Sequence, residues 1–467
     1  MTRSYIAIYV LLAATFLAIL NETVMSVAIP TIRDDLGIPA SQAQWVTTAF
    51  LLTMAVVIPT TGYLIARFSL RQLFGIAAGL FLAGSILGSI APTFAVIIAA
   101  RAIQAGGSAI MMPLLMTTVL RLVPEHERGK MMGNLMVVIA VAPAVGPTIS
   151  GAILKVGNNN WHLLFDVMIP LALIVLVAGL YLLPRDDTKE SKHLDLISVL
   201  LSAIGFGSSV FAVNSVAGES GGDPEVTALT AITLALGVIG LVLFVRRQRR
   251  LVREDKALLN LDVFRIPSFR VSVILMCLGM TAMFGVIIVL PLYLRLLDVS
   301  SLTIGLMLMP GPFVMGLMGR PVGQLYDKIG PRPLVIPGTV FVLAAMAGMS
   351  WLTTTTPLWW LIACHITLQI GLGLLFTPLF SWGLNEVPEP LQPDGSAIMS
   401  TANQLFGAVG TSIFVTVAAL AALDSSLAGT IAGYRVAMLV GVALSAALLV
   451  LAVLHVKKKD QRFELKA

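Results

Sequence analysis

The chain has 467 residues, 57% of them hydrophobic and only 12% charged, which excludes an ordinary soluble globular domain. Its formal net charge of +6 does not signal a nucleic-acid partner, because the basic residues fall in short segments between long apolar runs. The two cysteines, Cys277 and Cys364, both lie inside apolar runs, which reads as packing, and neither has the spacing of a metal site or a disulfide framework.

A membrane-spanning helix needs about 20 apolar residues. On that rule the first six spans fall near 5–29, 43–66, 70–90, 93–120, 131–154 and 163–183. The first is too long for the apolar part of a signal peptide and has no convincing small-residue cleavage site, so it is expected to stay in the membrane. A polar link at 184–195 leads to two further spans near 196–217 and 226–245, followed by the basic segment 246–270. Six more are predicted near 271–294, 302–325, 333–352, 358–382, 396–421 and 434–456, with a charged tail at 457–467. The expectation is an all-α polytopic membrane protein of fourteen transmembrane helices. A six-helix bundle at 1–184 and a second at 251–467 with its tail would flank a two-helix insert at 185–250.

Charge places the loops. Of the 30 Lys and Arg, 24 lie in the termini and the loops on their side, four in opposite loops (Arg33, Lys155, Arg295, Arg435) and two within spans (Arg101, Arg320). Both ends are therefore expected in the cytoplasm, with the cluster Arg246 to Arg250 acting as an orientation signal beside anionic lipid.

The two six-span blocks resemble one another, as the halves of many transporters do. After the second span of the first block comes Gly62, Leu64, Arg67, Arg71, and at the matching place in the last block Gly323, Leu325, Lys328, Arg332. In the fourth span of each block, Gln104 and Gly106 precede Pro113 as Gln369 and Gly371 precede Pro378.

One acid breaks the first apolar run: Glu22, beside Asn21. A charge at mid-bilayer costs about 3 kcal/mol or more, so such a group normally faces a protein interior or a wet path. Arg101 in the fourth span lies roughly 12 Å below the outer end of its span and Glu22 roughly 15 Å below Arg33, so their depths match. A guanidinium nearby favours an ionised carboxylate and apolar burial favours a neutral one. Those opposed influences leave Glu22 able to exchange a proton; the alternative is a purely structural buried ion pair. Asp166 lies only about 8 Å inward of Trp161, an interface residue, so the favoured reading is an acid wetted from the outer surface. If it faced the cavity it would attract cationic substrates. His365 reads as a satisfied core histidine, and the 21 Met residues as pliable apolar packing. No P-loop is present, so ATP hydrolysis is not expected.

In the fifth span, Ala142, Gly146 and Ser150 recur every four residues and form a smooth packing face, while Pro143 and Pro147 bend the backbone. This run through Gly151 resembles the motif G-x-x-x-G-P-x-x-G-G of antiporters in the major facilitator superfamily, and the whole chain resembles that superfamily's fourteen-span drug:proton antiporters. Gly323 to Arg332 is similar to its loop G-x-L-x-D-R/K-x-G-x-R, with Asp327 in place. The Gly62 copy departs from it, with Ala66 where Asp is expected and Ser69 where Gly is. The resemblance implies that the loop latches the two halves, with Gly323, Asp327 and Arg332 the better-formed copy and Gly62, Arg67 and Arg71 the weaker. A plain positive-inside anchor accounts for Arg67 and Arg71 equally well. Arg101 and Gln104 resemble the fourth-span R-x-x-Q-G motif, with Ala105 inserted. Trp161, Phe165 and Pro170 fit a sixth-span pattern in which Asp166 is this chain's own. Residues 259–269 are similar to the segment leading into the ninth span, and Asn403, Gln404 and Gly407 to a thirteenth-span motif.

The resemblance implies a bacterial inner-membrane multidrug efflux transporter rather than an enzyme. It would be monomeric, without cofactor or metal, and driven by the proton gradient to export small amphipathic or cationic compounds, antibiotics among them. Proton coupling would rest on Glu22 and Arg101, with Asn21, Glu22, Gln104 and Asp166 as substrate-binding candidates. Export of a physiological solute, such as a lipid precursor, peptide or metabolite, is the alternative, and a multi-span membrane enzyme or scaffold the more distant one.

Overall fold

The computed structural model describes residues 3–184, 195–212, 224–254, 257–299, 301–422, 424 and 426–456, and no strand occurs among them. The first half comprises α1 (Arg3–Leu36), α2 (Ala40–Val57), α3 (Thr61–Arg67), α4 (Leu70–Ser89), α5 (Phe94–Leu122), α6 (Glu125–Val156) and α7 (His162–Leu182). A single turn of 3-10 helix, Ile58–Thr60, joins α2 to α3, so the two cross as one unit. Between the halves lie α8 (Leu196–Ser202), which continues through a π-helical turn, and α9 (Pro224–Leu251). The second half comprises α10 (Pro267–Leu296), α11 (Ser301–Leu308), α12 (Pro310–Ile329), α13 (Arg332–Met349), α14 (Leu358–Asn385), α15 (Gln392–Leu420) and α16 (Leu427–His455).

Twelve helices are long and apolar enough to cross a membrane, so the count of fourteen is not established among the described residues. The expected span 196–217 appears as the shorter apolar helix Leu196–Ala212, and the rest of it lies outside the described residues. The expected span 302–325 is divided into α11 and α12 at Met309, ahead of Pro310 and Pro312, which have no amide hydrogen to carry the α-helical ladder through the junction. The expected charged tail 457–467 and most of the link 184–195 also fall outside the described residues.

Short local signals set the reversals. Ser69 opens α4 with a capping box: its hydroxyl accepts from the Gln72 amide and the Gln72 side chain accepts from the Ser69 amide. Gly330, at φ +81°, ends α12 and turns the chain into α13, a backbone region that a side chain resists. Asn158 and Asn159 take positive φ between α6 and α7, which asparagine tolerates best after glycine.

The two halves meet along α6 and α12. Gly129 faces Gly323, and Gly133 faces Gly319, so closely that a Cβ at any of the four would collide with the opposing backbone. Most of the described bonds between halves lie at the face where α1 begins and α16 ends, here called the terminal face; another, from Gln404 Nε2 to Met54 Sδ (3.5 Å), lies nearer mid-depth. The Asp327 carboxylate accepts the amides of Gly129 (2.9 Å) and Lys130 (3.0 Å), and Arg128 donates to Asn385 (3.4 Å). Close by, Thr117 bonds Ser396 (3.2 Å). At the opposite face the described bonds stay within one half, as in Trp161 to Asp35 (2.8 Å) and Tyr293 to the Thr353 carbonyl (2.6 Å).

The two helices of the insert are tied together by a fork: Arg247 on α9 donates to Asp195, the N-cap of α8, through Nε (2.6 Å) and Nη2 (2.8 Å). Arg247 first, and then Ser198, hold the Asp195 carboxyl down at about 2 against its ordinary 3.8. A depressed carboxylate contributes stability above its unfolded pKa and loses it as pH falls through the folded one. Asp195→Asn is therefore expected to lower the thermal unfolding temperature of the purified protein at pH 7. The gap to wild type should shrink as pH falls from 4 towards 2, which melts monitored by tryptophan fluorescence would detect.

Candidate functional site

The chemistry gathers between α1, α2, α4 and α5. Arg101 stands about 10 Å inside the start of α5 and is fully buried, which demands partners for its guanidinium. It finds three: Nη1 donates to Gln104 Oε1 (2.9 Å), Nε donates to the Val46 carbonyl (3.2 Å), and the Phe50 ring lies 4.1 Å from the guanidinium carbon. Gln104, also fully buried, takes a second donor from Asn21 Nδ2 (3.4 Å) and passes its own amide to Ser85 (2.9 Å). Gly84 allows that approach, because a Cβ there would sit 2.6 Å from both the Gln104 side chain and its backbone nitrogen.

Glu22 lies on α1 next to Asn21, half-buried, and it and Arg101 act on one another electrostatically. Two atoms of the network, Arg101 Nη2 and Asn21 Oδ1, are buried with no hydrogen-bond partner among the described residues, one a donor and the other an acceptor. An acid in contact with the interior, an immobilised cation and two uncommitted polar atoms suit exchange of a proton and recognition of a polar group.

The antiporter-like motif supports this site from behind. Ala142, Gly146 and Ser150 all face inward, and Gly146 lies against Thr23, one residue beyond Glu22, where a Cβ would strike the threonine hydroxyl. The helix α6 continues unbroken through Pro143 and Pro147. Gly151 has open space where a Cβ would be, so it takes no part in that close approach. An apolar groove of about 340 Å³ runs beside α1 between α6 and α7, lined by Leu12, Phe16, Leu17, Leu20, Val138 and Leu171, and ends two residues before Glu22.

Other predicted residues fall elsewhere. Asp166 is half-buried at the opposite face and accepts from the Ser89 hydroxyl; it is not joined to the Glu22 network. Arg71 donates to the carbonyls of Leu183 (2.8 Å through Nε) and Tyr181 (3.5 Å) at the end of α7, so its bonds stay inside the first half instead of latching the two together. Arg67 is exposed, Gly62 packs against Asp394 of α15, and Arg332 stands half-buried at the start of α13. Asp327 bridges the halves by the amides already described. His365 is buried as expected, with the backbone of Leu308 beside its ring. Sequence reasoning missed Ser85, Phe50 and the Val46 carbonyl; nothing in their local pattern marks them, since each reaches Arg101 or Gln104 from another helix.

A family model described as the Major Facilitator Superfamily matches residues 11–411. The chain belongs to this superfamily. It is 38% identical over 409 residues to the MFS-type transporter YcnB of Bacillus subtilis, covering 87% of this chain and 85% of that one. It is 36% identical over 407 residues to the lincomycin resistance protein LmrB of Listeria monocytogenes, covering 87% and 84%. Among solved structures, human organic anion transporter MFSD10 superimposes with a TM-score of 0.69 at 13% identity, covering 97% of this chain and all of that one, which speaks for the fold alone. As a superfamily member the protein is a multi-span membrane transporter and not an enzyme.

Arg101→Lys keeps a charge but loses the planar fork that reaches Val46 and Gln104 together. With one charge-assisted bond worth about 1.5–3 kcal/mol, transport is expected to fall at least tenfold at matched expression, read as initial flux in vesicles. Gly146→Val is expected to displace α1 at Thr23 and reduce flux while leaving the protein in the membrane.

Proposed function

We propose that the protein exports small amphipathic or cationic compounds, drugs among them, across the bacterial cytoplasmic membrane in exchange for protons. The terminal face would lie in the cytoplasm, as the excess of Lys and Arg on that side favours. The observation that carries the reading is Glu22, half-buried beside a fully buried Arg101. Similarity to LmrB, whose name records lincomycin resistance, supports drug export as the use of the site. The apolar groove ending near Glu22 suits the hydrophobic part of an amphipathic molecule.

The cycle is alternating access by rocking of the two bundles. With the terminal face latched, the site faces outward; there Glu22 takes a proton and releases substrate. When the latch opens inward, Glu22 gives up the proton and the next molecule binds. One acid implies one proton per cycle. An inward proton gains about 2.3 kcal/mol per 100 mV, and an outward monocation loses the same amount, so exchange is electroneutral and only the pH gradient drives it.

The test is pH-gradient-driven uptake of ethidium into inverted vesicles by wild type and Glu22→Gln at matched expression. Wild type is expected to transport at a rate that a potassium diffusion potential does not alter, and the variant to lose proton coupling. Equal coupling in the variant would remove Glu22 from the mechanism; a response to the potential would overturn the one-proton ratio.

A further inference from the structure

The two loops that match in sequence do not match in chemistry. In the second block Asp327 sends its carboxylate across to the amides of Gly129 and Lys130 at the start of α6, where Gly323 packs on Gly129. In the first block the corresponding residue is Ala66, which has no carboxylate to send. A carboxylate is nevertheless present at that seam, on the other side of it. Asp394, in the first turn of α15, lies against Gly62, its Oδ1 only 2.9 Å from where a Cβ would stand. Gly62 is the register partner of Gly323.

Asp394 Oδ1 accepts the amide of Asn260 (3.0 Å). Asn260 belongs to the linker that brings the chain from the insert into α10, and its own side chain caps the short helix Leu261–Arg265 by accepting from Asp262 (2.9 Å). That linker is held again one step back. Gln248, fully buried on α9, accepts the amides of Leu258 (2.8 Å) and Leu259 (3.1 Å) with one oxygen, and its nitrogen donates to Ser198 on α8 (2.6 Å). Leu259 in turn lies over Gly62. A continuous set of bonds thus runs from both insert helices through the linker to α15, with α3 of the first half pressed against it.

We propose that Asp394 supplies, from the second half, the latch carboxylate that the first-block loop lacks, and that through Asn260 and Gln248 it makes the two-helix insert part of the lock that closes the terminal face. Asp394 and Gln248 are positioning residues: neither is in the Glu22 network. Their place in a transport cycle rests on the alternating-access reading, but the closure itself is measured without transport.

The experiment is a distance measurement by pulsed electron resonance in reconstituted full-length protein. Spin labels go at the exposed positions Arg121 and Pro390, one in each half, with Cys277 and Cys364 replaced by Ala. Asp327→Ala serves as the control that opens the matching latch. Asp394→Ala and Gln248→Met are each expected to raise the ratio of open to closed terminal face about tenfold, and the pair together no more than either alone. Asp394→Asn keeps an acceptor oxygen and is expected to stay within about twofold of wild type. An unchanged distribution in Asp394→Ala would overturn the proposal, and so would a shift there that Gln248→Met fails to reproduce, or additive effects of the two. A protein that shows these shifts but carries no ethidium would sink the efflux reading and leave the lock standing.

Discussion

A guanidinium held in a low-dielectric interior must be surrounded by partners, and the first bundle is arranged to surround one. Arg101 draws on a carbonyl of α2, an aromatic ring of α2, an amide on its own helix and the field of an acid on α1. Each of those partners fixes the position of a helix. The cost of an unpaired buried charge, several kcal/mol, is what makes the arrangement of α1, α2, α4 and α5 hard to alter without losing the site. Glycines at the crossings permit it: Gly84 lets α4 reach Gln104, and Gly146 lets α6 press on α1 beside the acid.

The same economy of side chains governs the seam between the halves. In a membrane there is little hydrophobic gain in bringing two apolar helices together, so close backbone contact and a few polar bonds must hold them. Gly129, Gly133, Gly319 and Gly323 supply the first, and Asp327 the second. Apart from the mid-depth contact of Gln404 with Met54, the described polar bonds between the halves gather at one face while those at the other stay within each half, a hinge-like asymmetry suited to opening one side at a time.

Pseudo-symmetry is instructive where it fails. The fourth spans share Gln and Pro at equal spacing, yet Gln104 in the first half uses both its oxygen and its nitrogen in bonds, whereas Gln369 Oε1 in the second is buried without a partner among the described residues. The repeated backbone provides equivalent places, and single side chains decide which of them carries chemistry.

The apolar runs of about 20 residues and the internal repeat were sufficient by themselves for class and for most helices, because span length follows directly from residue spacing. Helix ends and breaks were less legible: the division at Met309 depends on prolines whose effect in a membrane is set by neighbours. What only the tertiary structure decided is which groups meet across helices. Asp166 went to Ser89, Arg71 to the end of α7, and Asp394 to the linker, while Ser85, Phe50 and Val46 converged on the site. Spacing along one helix specifies depth and face, but the partner on that face is chosen by the rotation and crossing of another helix, which no local pattern contains.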